Sequence, residues 1–222
     1  MNASIETALE EGILSTRKEQ KIREYFMASS LGFCPRKQVA ERLAMAPTNP
    51  PDRRSQFKMW TGTVLGKAIQ DSLEKQGYLD PAWHEKRLEY KNYVGKVDGY
   101  TAAIEGGAIV EIKTSDDDSI TKYKEMPEHY LWQGFWYCVA SGVPNLLIFQ
   151  VGKNQGIVRN RLFVLDDLWR KRIEGGMEAM RLWWKEWERT GQLPEHMHQF
   201  GFEDRFCPYI EDELTQMNKN AS

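Results

Sequence analysis

The stretch "YVGKVDGYTAAIEGGAIVEIKT", residues 93–114, decides the fold, because it contains two strand-like patterns joined by a glycine turn. Alternate side chains of a strand share a face, so Glu111 and Lys113 point to one side while their apolar neighbours point to the other. If the two strands pair as a hairpin across "EGG", Asp98 lies beside Glu111. The stretch therefore predicts two carboxylates and one ammonium group at a single place.

These three charged side chains indicate metal-dependent chemistry. Two carboxylates held close together repel, and a hard divalent cation such as Mg²⁺ or Mn²⁺ relieves the repulsion. Such a cation polarises a phosphodiester and lowers the pKa of a bound water, and Lys113 would orient that water or steady the charge on the phosphate. Two plainer interpretations stay open: Glu111 and Lys113 on the exposed face of an edge strand, and Asp98 as a turn residue beside Gly99.

Two motifs carry a resemblance to a known family. "GKVDG" followed by "VEIKT" resembles the catalytic core of the PD-(D/E)XK nucleases, in particular the RecB-like branch with its lambda-type exonucleases and the CRISPR-adaptation nucleases of the fourth Cas type. Gln133 and Tyr137, one helical turn apart in "WQGFWY", resemble the Gln-x-x-x-Tyr motif of that branch. "SSLGFCPRKQVAERL" is similar to the first helix of the CRISPR-type members, so the resemblance covers roughly residues 29–165.

The resemblance implies a restriction-endonuclease-like α/β core, with a mixed central sheet of about five strands flanked by helices. It also implies a role for each matching residue. Metal binding falls to Asp98, Glu111 and the Ile112 carbonyl, and catalysis involves Asp98, Glu111, Lys113, Gln133 and Tyr137.

The helix before the hairpin departs from the family pattern. RecB-like sequences usually carry a glycine followed four residues later by a His or Glu that adds a metal ligand. "WTGTVLGKAIQ" offers Gly62 and then Gly66 at that position, so the expected ligand is missing. Gln70, one turn further on, is expected to be a solvated or packing residue. Because of this departure, a weak or inactive enzyme remains an alternative interpretation.

The cysteines depart as well. Many members of this branch hold an iron–sulfur cluster with four thiolates, and Cys34 and Cys207 occupy positions where two of these would be. Cys138 lies in the Gln/Tyr helix, so the set is incomplete. The sequence predicts no iron–sulfur cluster, and Cys34 and Cys207 as free buried thiols whose segments pack together.

Two further groups of residues could be either binding residues or ordinary structural residues. The pair His196 and His198 could ligate a metal, but with no carboxylate or thiol near it in the sequence a surface turn is expected. The cluster Trp183, Trp184 and Trp187 could stack on nucleic-acid bases, but its helical spacing favours core packing.

The 222 residues predict a single domain. Its expected parts are N-terminal helices over 4–45, a catalytic core over about 56–165, a C-terminal helix over about 166–190 and a frayed tail over 210–222. No apolar run approaches the roughly 18 residues of a membrane helix, and the acidic N-terminus lacks a signal-peptide layout, so a soluble, cytoplasmic protein is expected.

The formal net charge of −2 excludes a protein that coats nucleic acid through bulk charge. The basic residues predicted to contact phosphates are Arg36, Lys37, Arg53 and Arg54. The resulting hypothesis is a Mg²⁺- or Mn²⁺-dependent DNA exonuclease acting on linear ends, with a homo-oligomer and recombination or CRISPR-adaptation proteins as possible partners. The alternatives are a non-catalytic nucleic-acid-binding scaffold and a structure-specific endonuclease.

Overall fold

The computed structural model describes residues 21–122, 125–201, 203 and 207–209. The order of elements along the chain is β1 (Phe26–Met27), α1 (Pro35–Arg42), α2 (Arg53–Lys75), β2 (Arg87–Tyr90), β3 (Tyr93–Lys96), β4 (Gly99–Thr101), β5 (Ala108–Ser115), α3 (Asp117–Lys122), α4 (Glu128–Ser141), β6 (Asn145–Gly152), β7 (Val158–Val164) and α5 (Asp167–Thr190). The predicted mixed α/β class is confirmed.

The described strands form two mixed sheets rather than one. The four-stranded sheet has the order β4-β5-β6-β7, with β5 and β6 parallel and the outer pairs antiparallel. The three-stranded sheet has the order β1-β3-β2, with β1 parallel to β3. The first arm of the predicted hairpin is split, because β3 ends at Lys96 and β4 begins at Gly99. Asp98 lies in this break between the two sheets.

Helix α4 forms the centre of the core. Half of its residues are buried, and Phe135 and Trp136 are at most 1% exposed. It ends at Gly142, whose φ of 76° is a left-handed conformation that glycine adopts without steric cost. On the side of β3, Gly95 leaves room for the Tyr137 ring, since a Cβ there would lie 2.6 Å from Tyr137 Cε1.

Helix α2 packs across β5 and forms one wall of the cleft that contains the candidate active site. It begins at the N-cap Asp52, whose carboxylate accepts a hydrogen bond from the Ser55 N–H at 2.7 Å. Gly62 permits a close approach to the sheet, because a Cβ at this position would lie 2.7 Å from Thr114 Oγ1. A small apolar cluster of Leu79, Val110 and Ile112 fills the space beneath the helix.

Helix α5 closes the opposite side of the core. Its buried residues Ile173 and Met177 face α4, and the predicted core role of the tryptophan cluster is confirmed, since all three rings pack against the main core. The Arg42 guanidinium lies 3.6 Å above the Trp184 ring. The aromatic cluster thus ties α5 to α1.

Within the predicted N-terminal helices over 4–45, Pro35–Arg42 is a helix but Phe26–Met27 is not. Residues 4–20 of this range lie outside the described residues, and so does the predicted tail 210–222. Phe26–Met27 is a strand, because it pairs with β3 and Phe26 packs on Tyr93 with ring centroids 5.3 Å apart. None of the helices in the described part of the chain is long and apolar enough to cross a membrane.

Candidate active site

The two predicted acids lie side by side at the break between the sheets. The ladder pairs Gly99 with Val110, which places Asp98 opposite Glu111, the register that the hairpin pattern predicts. The Ile112 N–H donates to Asp98 Oδ2 at 2.6 Å, and Gln70 Nε2 donates to the Asp98 carbonyl at 2.5 Å. Backbone and side chain of Asp98 are therefore both fixed by neighbours.

Glu111 is the buried member of the pair, with 2% exposure. Its Oε1 lies 2.5 Å from Lys113 Nζ, and its buried Oε2 has no hydrogen-bond partner among the described residues. Burial of a carboxylate oxygen without a partner is costly unless something binds it. Glu111 Oε2 is therefore a candidate ligand atom for a cation.

The electrostatics of the three groups are coupled. Burial and then the charge of Glu111 raise the pKa of Asp98 well above its ordinary value. Burial alone would lower the pKa of Lys113, but the Glu111 and Asp98 carboxylates outweigh it and raise that pKa. One ammonium thus faces two acids, and a second positive charge would stabilise both as carboxylates.

Gln133 and Tyr137 link this cluster to the core. Lys113 Nζ donates to Gln133 Oε1 at 2.8 Å, and Gln133 Nε2 donates to the Tyr137 hydroxyl at 3.0 Å. The Tyr137 hydroxyl in turn donates to the Lys96 carbonyl at 2.6 Å, next to the break that holds Asp98. Because α4 is packed in the core, this chain of hydrogen bonds fixes the position of the ammonium group.

The cluster opens into a cleft of about 980 Å³ between α2 and β5. Asp98, Ile112 and Lys113 line it together with Gly66 and Gln70. Of the two roles expected for Gln70, solvated or packing, the structure shows packing, because Gln70 is 3% exposed and its side chain donates to the Asp98 carbonyl. The described residues leave the space at Gly66 open, since a Cβ there meets nothing within 4 Å.

Glu85 is a third carboxylate of the cleft that the sequence analysis missed. It lines the cleft, and its charge acts on Asp98 to raise the pKa of that acid. Its φ of 49° is a left-handed conformation, which is strained for a residue other than glycine and is frequent at functional sites. No motif marks Glu85 in the sequence, because it lies in a turn before β2.

The lysines of the cleft also escaped the sequence analysis. Lys58, Lys67 and Lys153 line it, and Lys153 donates to the Lys58 carbonyl at 2.8 Å. Of the predicted phosphate contacts, Arg54 lines a neighbouring pocket that also includes Lys58 and Lys153.

The other predicted phosphate contacts do not line the cleft. Arg36 and Lys37 lie on α1 towards the C-terminal segment, where the Lys37 ammonium lies 4.0 Å from the Phe33 ring centroid. Arg53 is exposed at the first residue of α2. Their contact with phosphates stays a prediction.

The C-terminal histidines are not in an isolated surface turn, and that prediction is wrong. His196 Nδ1 lies 3.9 Å from Cys34 Sγ, and His198 is adjacent. Cys34 and Cys207 are buried and their segments pack together, as predicted. The hydrogen bond with Cys207 is the main cause that lowers the pKa of Cys34 to about 4. Proximity in space here joins residues that are far apart in the sequence.

The fold has counterparts among solved structures. No protein-family model matches the chain, and no curated protein matches its sequence. The crystal structure of a protein designated SSO0001 is similar with a TM-score of 0.58 and 15% identity, over 93% of this chain and 94% of that one. The alkaline exonuclease LHK-Exo from Laribacter hongkongensis is similar with a TM-score of 0.51 and 13% identity, over 82% of this chain and 97% of that one.

The chain therefore has the fold of an alkaline exonuclease, which agrees with the restriction-endonuclease-like core predicted from the sequence. Identities this low establish the fold alone. A closer relation to the CRISPR-adaptation nucleases stays a prediction.

Proposed function

We propose that the protein is a metal-dependent DNA nuclease that acts by preference on linear ends. The observation that carries this proposal is the buried carboxylate of Glu111, which has one oxygen on Lys113 and the other without a hydrogen-bond partner among the described residues, beside Asp98. A site made only for stability would pair both oxygens. The likeness of the fold to an exonuclease supports the same function.

The acids fit Mg²⁺ or Mn²⁺, because both cations prefer oxygen ligands and retain several waters. Asp98, Glu111 and the Ile112 carbonyl would hold the cation, and Glu85 lies at the same cleft as an additional carboxylate. When bound, the cation supplies a Lewis acid for the phosphodiester and lowers the pKa of a bound water.

Lys113 contributes a positioned positive charge. Glu111 and Gln133 hold its ammonium group from two sides, yet 20% of the side chain is exposed and it lines the cleft. In this position Lys113 orients the attacking water or neutralises charge that develops on the phosphate. Gln133 and Tyr137 are positioning residues, since they act through Lys113 and the Lys96 carbonyl.

The lysines of the cleft suit a polyanionic substrate. Lys58, Lys67 and Lys153 would contact the phosphate backbone, which provides most of the affinity of such proteins without sequence readout. The proposal extends to a homo-oligomer that surrounds DNA. It also extends to partner proteins of recombination or CRISPR adaptation.

A second candidate function is a non-catalytic nucleic-acid-binding scaffold. The observation that favours it is Gly66, which contributes no side chain where the family resemblance implies a metal ligand. Under this alternative the cleft still binds DNA through its lysines, but no cation drives hydrolysis. A structure-specific endonuclease would share the chemistry and differ in its substrate.

One assay separates the three. End-labelled linear DNA and closed circular DNA are incubated with Mg²⁺, Mn²⁺ or EDTA, and the products are resolved by size. We expect stepwise loss of the linear DNA with either cation, an intact circle and no reaction in EDTA. Asp98→Asn should lower the rate by roughly 10²–10³-fold, whereas Glu105→Gln, on the exposed turn of the same hairpin, should not change it.

The other outcomes are equally informative. Cleavage of the circle would favour the endonuclease. DNA binding without cleavage by a folded protein, unchanged in Asp98→Asn, would replace the nuclease with the scaffold.

A further inference from the structure

Two cysteines and two histidines from distant segments converge at the N-terminus of α1. The candidate ligand atoms of Cys34, His196 and His198 all lie within 4.8 Å of one another. Cys207 adds a fourth side chain beside these three, because its buried thiol is near enough to shift the pKa of Cys34. Both cysteines are nearly inaccessible, with exposures of 0% and 2%. We call these four residues the Cys/His cluster.

The backbone around the cluster is arranged for sulfur that carries negative charge. The backbone amides of Lys37 and Met197 help to lower the pKa of Cys34, and the Tyr209 amide acts in the same direction on Cys207. Amide dipoles near sulfur stabilise a thiolate, the form in which cysteine binds a metal. An ordinary buried thiol needs no such donors, since it packs as a small apolar group.

Glu203 builds the loop without entering the ligand set. Its Oε1 accepts from the Cys34 N–H at 2.9 Å, and its Oε2 accepts from the N–H groups of Gln199 and Phe200 at 3.0 and 3.1 Å. Both carboxylate oxygens are thus occupied by backbone amides. The atoms that remain for a cation in the cluster are sulfur and imidazole nitrogen.

We propose that Cys34, His196, His198 and Cys207 bind one Zn²⁺ ion as a closed structural site. Two sulfur and two nitrogen ligands form the set that Zn²⁺ prefers, in tetrahedral geometry. The usual Zn–S and Zn–N bonds place ligand atoms about 3.3–3.8 Å apart. The separation of 3.9 Å between Cys34 Sγ and His196 Nδ1 is already close to this range, and the ligand atoms of Cys34, His196 and His198 all lie within 4.8 Å of one another.

The zinc site would link the C-terminal segment to the start of α1. Around it, Asn49 Nδ2 donates to the Cys207 carbonyl at 3.2 Å and the Asn49 N–H donates to the Pro208 carbonyl at 2.8 Å. The Tyr209 hydroxyl donates to the Met45 carbonyl at 3.2 Å. These contacts hold the loop that leads into α2, so a metal here would support the wall of the cleft without taking part in the reaction.

The test is the metal content of the full chain, purified without an affinity tag and without chelators. Elemental analysis should find one zinc per chain, and labile sulfide should be absent. Cys34→Ser and His198→Asn should each reduce zinc to below about a tenth of an equivalent. Cys138→Ser changes a buried cysteine of α4 outside the cluster and should keep the full equivalent.

A second measurement covers variants that fail to fold. Wild-type protein stripped of metal and given Co²⁺ should develop the d–d absorption of a tetrahedral site together with thiolate-to-cobalt charge-transfer bands. Wild-type protein that holds no zinc as isolated, and none after addition of ZnCl₂ and desalting, would overturn the proposal. Iron with stoichiometric sulfide in place of zinc would overturn it as well, and so would zinc that persists in both cluster variants.

Discussion

The cleft at Asp98 and the Cys/His cluster both contain potential metal ligands, but they are built in opposite ways. In the cleft, Glu111 keeps a buried oxygen without a partner among the described residues, and its neighbours line about 980 Å³ of open space. In the cluster, the two cysteines are 0% and 2% exposed, and the Glu203 carboxylate accepts from the Cys34 N–H. Catalytic metal sites keep an open position and structural sites fill every one, so the first suits chemistry and the second suits stability.

The two regions are also physically connected. Phe33, next to Cys34, lies against His129 with ring centroids 6.0 Å apart, and His129 packs on Tyr130 at 4.3 Å. The Lys113 ammonium lies 5.3 Å from the Tyr130 ring centroid. The rings of Phe33, His129 and Tyr130 therefore lie between the cluster and Lys113, and the comparison can be tested by changing one region and measuring the other.

The largest expected effect is the loss of activity without loss of zinc. Glu111→Gln removes the charge that holds Lys113 and one proposed ligand, so we expect the rate of DNA cleavage to fall by about 10³-fold. Zinc content measured on the same sample should stay at one equivalent. A variant that loses both would show that the two regions are not separate sites.

The second expected effect is a loss of stability when zinc is removed from the Cys/His cluster. Removing zinc with a strong chelator should lower the midpoint of thermal unfolding by about 6–12 °C, because a ligand bound tightly to the folded state alone stabilises it by about 3 kcal/mol. Withdrawing Mg²⁺ while zinc is retained should abolish cleavage and move the midpoint by less than about 2 °C. Equal shifts on the two treatments would contradict the division into a catalytic and a structural site.

The contrast also explains what the sequence could predict. The hairpin was predictable in detail, because Asp98, Glu111 and Lys113 lie within one local unit whose register follows from strand alternation. Gln133 was predictable through helical spacing and the family resemblance. The Lys113–Gln133 contact then confirmed that the helix packs beside the acids.

The Cys/His cluster could not be predicted in the same way. Cys34 and His196 are 162 positions apart, and no local pattern reports a contact between them. Glu85 escaped for a related reason, since a turn residue is brought to the cleft only by the packing of β2 against β3. The split of the hairpin arm between two sheets depends on β1, which looked helical by composition.

A third prediction concerns His129, between the two regions. Burial, and then the charges of Lys113 and Lys37, lower the pKa of His129 to about 4 from 6.5. The unfolded chain therefore takes up a proton near pH 6.5 that the folded chain refuses, and stability falls as the pH drops from about 6.5 towards 4. His129→Phe should remove about 2 kcal/mol of the loss between pH 7 and pH 5, as measured by urea unfolding at these two pH values. If the free energy of unfolding depends on pH identically in both proteins, the fold does not keep His129 from taking up a proton.

The fourth prediction isolates the positioning of Lys113. Gln133→Ala removes the acceptor that holds the ammonium group on the side of α4, while Glu111 remains in place. We expect kcat to fall by about tenfold with little change in KM for DNA, because the lysine is still present but less well placed. A change confined to KM would instead assign Gln133 to substrate binding. A zinc content below one equivalent would point to a general disturbance of α4.

The smallest effect is expected at Gly66, where the cleft departs from the family pattern. Gly66 lies within α2, and a Cβ there meets no described atom within 4 Å, so Gly66→Ala should stabilise the protein by about 0.5–1 kcal/mol through lower entropy of the unfolded chain. Urea unfolding measures this gain, and cleavage should be unchanged because a methyl group offers no ligand. Gly66→Glu is the matched variant with a carboxylate at the same position. It should lower the Mn²⁺ concentration at which cleavage reaches half its maximal rate. If the Glu variant behaves like the Ala variant in both respects, the acids at the sheet break do not share their cation with helix α2.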